Sequence, residues 1–341
     1  MDYTTATLAG VVQRLRPPTT FWLNLCFGRQ VNFETQYIDF DLIDKDRRLA
    51  PFVSPMAQGR VMTKQGFVSR RFAPAYVKPK DEVNPNHVIT RMAGEAYNGE
   101  LSQESRRNAI IADLLQGQKD KIWRRWEWMA AQAIINGSVT VEGDDYPTQN
   151  VDFQRDANQT IALTGSSAWG QTGVSIVDSL DTWNKQTQEL STYFPNTLVV
   201  GTDAWAVMKA DSEIIELLNK NYRNGDSANL NLGPQSGEIA QYMGKIGVQD
   251  VWVYNDNYED STGATVPFMD SKTVVGLNPA GVQGIRCFGA IMDKRAGYRA
   301  MDIFSKMWDQ EDPSVEYLMS QSAPLMVPME PDAVWSASVI E

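Results

Sequence analysis

Histidine and cysteine are nearly missing from this chain of 341 residues, which holds one histidine, His87, and two cysteines, Cys26 and Cys287. A single imidazole with no marked nucleophile or orienting partner excludes the usual Ser-His-Asp and Cys-His relays. A structural zinc site needs four nitrogen or sulfur ligands, and three such side chains cannot supply it. Two cysteines so far apart in sequence are expected to be buried, reduced thiols rather than a disulfide framework. No run of 18 or more apolar residues is present, so no helix is expected to span a membrane. The opening Met1-Asp2-Tyr3-Thr4-Thr5 has neither a basic nor an apolar signal region and is not a secretory signal. There is no Walker loop, no strand-turn-helix GxGxxG and no complete EF-hand. The acidic run Asp256-Asn257-Tyr258-Glu259-Asp260 lacks the glycine and terminal glutamate of a calcium loop and reads as a solvated turn. Neither a metal nor a cofactor is expected.

What the chain does have is length, apolar content and an uneven charge. At 43% hydrophobic residues it can bury a large core, and its length suggests two or three domains. Lysine and arginine number 31 against 42 acids, a net charge of −11. Residues 51–80 break with this. They carry Arg60, Lys64, Arg70, Arg71, Lys78 and Lys80 with no acid, a local +6 that leaves −17 for the remainder. Within them, Gln58 to Arg70 reads as two strands around a turn near Lys64 to Gly66. A two-stranded ribbon alone in water is marginal, so it is expected to lie on another, acidic surface.

Residues 1–50 read as irregular, because Pro17-Pro18 breaks an early helix. The run Phe21-Trp22-Leu23-Asn24-Leu25-Cys26-Phe27 is apolar on both faces and needs cover, which is expected from neighbouring chains. The strongest periodicity runs from about Ser102 to Asn136. Ile111, Leu115, Ile122, Trp126, Met129 and Ala133 follow three- and four-residue steps, interrupted at Gln118, between a serine N-cap and an Asn136-Gly137 stop. Such a helix would be roughly 50 Å long. Strands are expected through 138–162. An α/β pattern follows: a helix with Ile176, Leu180, Trp183, Thr187 and Leu190, a buried strand at Thr197–Val200, and a helix from Asp203 to about Asn219. Asn221–Gly237 reads as a long loop, and further strands follow to the end of the chain.

Several stretches carry a resemblance. Phe72-Ala73-Pro74-Ala75-Tyr76-Val77-Lys78-Pro79-Lys80-Asp81-Glu82-Val83-Asn84-Pro85, with Val53-Ser54-Pro55 before it, resembles the major capsid protein of lambda-type tailed bacteriophages. So does Gln321-Ser322-Ala323-Pro324-Leu325-Met326, and Tyr3-Thr4-Thr5-Ala6 matches weakly. The resemblance implies an α+β chain with the tailed-phage and herpesvirus capsid fold: an N-terminal arm (1–50), an extended hairpin loop (51–90), a peripheral domain with a long spine helix (91–160), an axial α/β domain (161–312) and C-terminal strands returning to the peripheral domain (313–341). It implies a non-enzymatic head protein that assembles into hexamers and pentamers around double-stranded DNA. In that setting the six cations of the loop, and Trp22, Leu25 and Phe27 of the arm, are expected at intersubunit contacts, while Ile111, Leu115, Ile122, Trp126 and Met129 pack the spine helix. Some relatives cross-link through a loop lysine, but no Asn or Glu partner can be assigned to Lys64. The resemblance also implies a decoration protein at threefold positions and a portal as further partners. The short arm leaves no room for a scaffolding extension, which implies a separate scaffolding protein. The virion is the expected location, after assembly in the host cytoplasm.

Two readings compete. Residues 51–80 could instead bind nucleic acid, with Phe67, Phe72 and Tyr76 stacking on bases. The many tryptophans and acids could serve a carbohydrate-active enzyme, although no carboxylate pair stands out.

Overall fold

The structure, a computed structural model, describes residues 5–35, 37–43, 52, 55, 56, 58, 67–83, 102–143, 146–217, 228–230, 239–312 and 315–341. His87 and most of the 221–237 stretch lie outside them. The arm is not irregular. It contains α1 (Thr5–Arg14) and, beyond Pro17-Pro18, the short α2 (Trp22–Cys26). Leu8 and Val12, one helical turn apart, are buried against Val83, Ile111, Leu115, Met307 and Leu318. The expectation that other chains cover the Phe21–Phe27 run is overturned for Trp22 and Phe27. Both are fully buried within their own chain, packed into the core that includes Trp126, Met129, Phe288 and Val282. Burying an aromatic side chain against one's own core requires no partner, so the apolar run alone does not imply a neighbour.

After β1 (Arg29–Asn32), the strand β2 (Ile38–Ile43) pairs antiparallel with β3 (Phe67–Phe72), from Ile38 opposite Phe72 to Ile43 opposite Phe67. The sequence suggested a ribbon formed within residues 58–70. The described ladder instead gives the basic strand an acidic partner from residues 38–43, so the arm and loop divided at residue 50 share one hairpin. The physical reason is cross-strand complementarity: Asp39 lies opposite Arg71, and Ile38 and Phe72 bury together on the other face. The next strand is β4 (Lys80–Val83).

The long helix α3 (Gln103–Ile135) begins at Ser102, whose hydroxyl accepts from the Ser105 N–H at 3.1 Å. Ile111, Leu115, Ile122, Trp126 and Met129 are all buried. Gln118, which interrupts the apolar stripe, is buried as well and donates to Asp81 at 2.8 Å and to the Leu318 carbonyl at 3.0 Å. The three tryptophans diverge as helical geometry requires. Trp126 is buried, Trp123 is half-buried with its ring 5.0 Å from that of Trp126, and Trp128 is half-buried beneath the Arg125 guanidinium. Arg155 closes the C-terminus, donating to the Ile134 and Ile135 carbonyls at 2.7 Å each. Gly117 sits mid-helix with open space where a Cβ would be. Gly117→Ala is therefore expected to raise stability by about 0.8–1 kcal/mol, readable as a higher urea midpoint with unchanged m.

Downstream, β5 (Ser138–Gly143) and β6 (Tyr146–Asp152) form a hairpin, followed by β7 (Thr160–Ala162), α4 (Ile176–Ser191) and β8 (Thr197–Val200). The next helix, α5 (Thr202–Ala210), stops before the expected Asn219. Asp211 breaks it and uses its carboxylate to cap Glu213 and Ile214 of a new helical turn. Then come β9 (Ala228–Leu230), β10 (Ala240–Ile246), β11 (Gln249–Tyr254), the small hairpin β12 (Asn257–Glu259) and β13 (Thr265–Pro267), β14 (Thr273–Leu277), β15 (Ile285–Phe288), β16 (Phe304–Gln310), β17 (Val315–Gln321), β18 (Pro324–Val327) and β19 (Val334–Ser338).

These strands form a seven-stranded mixed sheet, β7-β19-β14-β8-β11-β10-β9, with Trp169, Trp183, Trp205 and Trp335 buried in one of its cores. Two three-stranded sheets, β16-β17-β4 and β1-β15-β18, contact α3 through β17 and β18. Two boundaries drawn from sequence shift. β19, placed with the C-terminal strands of the peripheral domain, is a strand of the large sheet. β16, placed in the axial domain, pairs along its whole length with β17 beside α3. Both move because a strand goes where its hydrogen-bonding partner is, whatever its neighbours in sequence do.

Candidate functional site

Two of the stretches that carry the family resemblance meet at the foot of the hairpin. Val77 and Ser322 exchange backbone hydrogen bonds of 2.9 and 3.0 Å, and the Ser320 N–H donates to the Pro79 carbonyl at 3.1 Å. Phe72 is buried, and the Ala73 carbonyl accepts from the Tyr146 hydroxyl at 2.8 Å. Tyr76 donates its hydroxyl to the Ala290 carbonyl at 2.6 Å, and burial pushes its pKa up. A Cβ on Gly289 would come within 2.6 Å of Pro74, so with the proline ring in place this position has room for glycine alone. The unusual proline spacing thus fixes an extended chain against β17 and the start of β18, and the hairpin rises from that anchorage.

The arm is held to α3 by two buried charges. Glu127, only 2% exposed, accepts from the N–H groups of Phe21 at 2.8 Å, Trp22 at 2.7 Å and Leu23 at 3.0 Å, the first turn of α2. Lys119, two helical turns earlier, donates to the carbonyls of Val12 at 2.9 Å and Leu15 at 2.6 Å, the last turn of α1. Each charge meets the helix end whose partial charge is opposite to its own. Burial raises the Glu127 pKa although its three N–H donors pull the other way, with Asp256 adding to the rise. Burial lowers that of Lys119, against Asp302 and Asp120. Cys26 and Cys287 are both buried and unbonded. The Cys287 thiol is pushed up to about 12 by burial, which keeps it inert. No group of three or more potential metal ligands occurs among the described residues.

The predicted contact residues fall in different surroundings. Arg60 and Lys64 lie outside the described residues, and Arg70 lies in β3. Arg71 pairs with Asp39 at 2.8 Å across the hairpin and sits over the Tyr37 ring. Lys78 lies 4.7 Å from the Tyr76 ring centre and Lys80 3.7 Å from that of Tyr317, so both have aromatic partners in their own chain. With Phe72 buried and the Tyr76 hydroxyl engaged, two of the three side chains suggested for base stacking are already committed. Of Trp22, Leu25 and Phe27, Leu25 alone is half-exposed. It lines a groove of about 610 Å³ with Phe21, Ile239 and Trp252, and a second of about 570 Å³ with Arg29, Ala280 and Met329. Sequence reasoning missed Glu127 and Lys119. Their only signal was a charge on each side of an apolar stripe, which any solvated helix shows.

The sequence model of the family described as Phage major capsid protein E matches residues 4–339. The chain belongs to this family. It is a structural protein of phage heads, a component of the virion, and not an enzyme. The major capsid protein of Enterobacteria phage P21 is 30% identical over 336 residues, and that of Escherichia phage lambda 28% over 335, each alignment covering 97% of both chains. A prophage capsid protein of E. coli CFT073, known from its crystal structure, superposes with a TM-score of 0.74 at 22% identity, covering 99% of each chain. The mature capsid subunit of bacteriophage PhiM1 has the same fold, with a TM-score of 0.51 at 10% identity, covering 95% of this chain and 88% of that one. The capsid family thus has an α+β tailed-phage fold here, with α3 as its spine helix and the β2–β3 hairpin standing on the Val77–Ser322 anchorage.

Proposed function

We propose that this capsid protein builds an icosahedral head from hexamers and pentamers, assembled in the host cytoplasm and filled with double-stranded DNA. A scaffolding protein, a portal and a decoration protein at the threefold positions are its partners. The observation that carries the reading is the hairpin itself: a ribbon anchored at its foot by the Val77–Ser322 bridge and by buried Ile38, Phe40 and Phe72, whose second strand belongs to the most cationic segment of a net acidic chain. Such a ribbon gains cover and charge complementarity when it lies on a neighbouring copy. Many modest contacts of this kind add up in a closed shell. The acidic balance of the chain also limits tight condensation on packaged phosphates.

Electron microscopy and sedimentation of the purified protein test the closed shell directly, and a soluble monomer under all assembly conditions would refute it. The ribbon's part is tested by charge. Arg70→Glu with Arg71→Glu is expected to lower assembly yield several-fold while circular dichroism of the subunit is unchanged. Because Arg71 also pairs with Asp39, the swap Asp39→Arg with Arg71→Glu supplies the control. It restores the hairpin's own pair and should recover only part of the yield. Full recovery would mean that Arg71 serves its own hairpin and no neighbour.

A further inference from the structure

One line of α3 is only partly used by the fold: Ile110, Leu114 and Trp128 along it lean on the chain's own cores and keep one side open. Ile110, Leu114, Gly117, Lys121, Arg124 and Trp128 recur at steps of four, three, four, three and four residues, the spacing of a seam for a second helix. This line runs about 27 Å along the helix. It is distinct from the buried stripe: Ile110, Leu114, Gly117 and Trp128 are half-buried, and Lys121 and Arg124 are exposed. Gly117 has nothing within 4 Å of where its Cβ would be, which leaves room for another backbone to approach closely. Arg125 flanks the line with its guanidinium 5.1 Å from the Trp128 ring centre. Among the described residues, no carboxylate forms an ion pair with Lys121, Arg124 or Arg125. Asp256 is the acid whose charge Arg124 influences. Exposed Arg14 and Arg16 add positive charge along the border, where Gln116 binds the Arg16 carbonyl at 3.1 Å.

We propose that this face docks an amphipathic, acidic α-helix from a partner protein. The partner's apolar edge packs on Ile110, Leu114 and the Trp128 ring and crosses closest at Gly117, while its carboxylates meet Lys121, Arg124 and Arg125. Duplex DNA fits the face less well. Its phosphates would meet cations only in the C-terminal half of the line and would leave Ile110 and Leu114 against a polar backbone. The rest of an acidic chain would also repel it. An acidic helix satisfies both halves at once and keeps the alternating step of the seam.

The test measures binding of labelled probes to the full, unassembled chain by fluorescence anisotropy. The probes are a peptide of about 20 residues with leucine at three- and four-residue steps and glutamate elsewhere, its scramble of equal charge, a 20-base-pair duplex and a peptide of residues 176–191. The amphipathic peptide is expected to bind about tenfold or more tighter than its scramble. Lys121→Glu with Arg125→Glu should abolish the difference. Gly117→Leu should weaken binding about tenfold while leaving the melting temperature of the chain equal or higher, an effect no purely structural role of the glycine would give. Equal binding of peptide and scramble, or unchanged binding in both variants, overturns the proposal. Tighter binding of the duplex would make the face a nucleic-acid surface. Preference for the 176–191 peptide would make it a contact between copies, and either result replaces the acidic partner helix.

Discussion

Glu127→Ala is expected to destabilise the subunit by about 2–4 kcal/mol and to lower its melting temperature by roughly 5–10 °C. The carboxylate is the acceptor for three consecutive backbone donors, and all three lose it together. Trp22 and Leu23 are buried, so water cannot easily replace the lost acceptor. Alanine also removes the group that fixes where α2 meets α3. The expected structural result is detachment of residues 19–27 with the rest of the fold retained. Hydrogen exchange should localise the change: the amides of Phe21 to Phe27 lose protection, while those of β8 and β14 keep theirs. Retained protection at Trp22 and Leu23 would show that packing of the apolar run, not the carboxylate, holds the arm. Glu127→Gln should be milder, since its carbonyl oxygen can still accept from Phe21 and Trp22, and only the Leu23 N–H then faces an amide NH₂.

The same residue predicts a pH dependence of definite sign. Burial holds the folded-state pKa of Glu127 above its unfolded value, which is about 4.3. Between those two values the folded chain binds more protons at this site than the unfolded chain does. Stability from this group is therefore fully present below the unfolded pKa and is lost as pH rises through the folded one. Other carboxylates impose their own slopes, so the difference between wild type and Glu127→Gln isolates the site. In urea titrations from pH 4 upward, that difference should shift against the wild type as pH rises. The groups facing Glu127 are Tyr254, Cys26 and Asp256, and the first two have pKa values raised well out of this range. Asp256 is raised as well, mainly by burial. Repeating the comparison in an Asp256→Asn background separates the two carboxylates.

How far these features were legible in the sequence depends on the range of the interactions that make them. The long helix was legible because its signals are local: a serine cap, an apolar stripe and an Asn-Gly stop. Gln118 was visible as a break in that stripe, but its partners stand 37 and 200 residues away, so its role was not. The strand Phe67–Phe72 was recognisable, yet its partner was not, because residues 58–63 and 38–43 both alternate. The aspartates at 39 and 41 were the discriminating sign, a complement to Arg70 and Arg71 that a local reading of turns overlooks. The arm was misjudged for a related reason. Apolar residues on both faces do mean burial, but the sequence does not say in which chain, and the deciding group was one carboxylate more than 100 residues on. Two of the capsid-like stretches were informative because they touch each other, and their shared constraint is the Val77–Ser322 bridge.

The seven-stranded sheet offers the second large effect. Gly276 on β14 lies opposite Trp335 on β19, and a Cβ added at Gly276 would fall inside the Trp335 ring. Trp335 is fully buried, donates its indole N–H to Asn184 at 3.0 Å and packs on Trp183 with ring centres 4.9 Å apart. It cannot retreat without breaking that bond or opening the core. Gly276→Ala is accordingly expected to cost about 3 kcal/mol or more, the upper range for an overpacked core. Trp335→Ala should cost about 3–5 kcal/mol by leaving a cavity and by removing one of the two donors to the Asn184 oxygen, which Gln249 still meets at 3.1 Å. Because the two side chains compete for one volume, the double variant should be less destabilised than the two losses taken together, by 1 kcal/mol or more. Strict additivity in chemical denaturation would mean that β14 and β19 separate to admit the new methyl group. In that case the glycine would not be what allows the tryptophan to lie flat on the sheet.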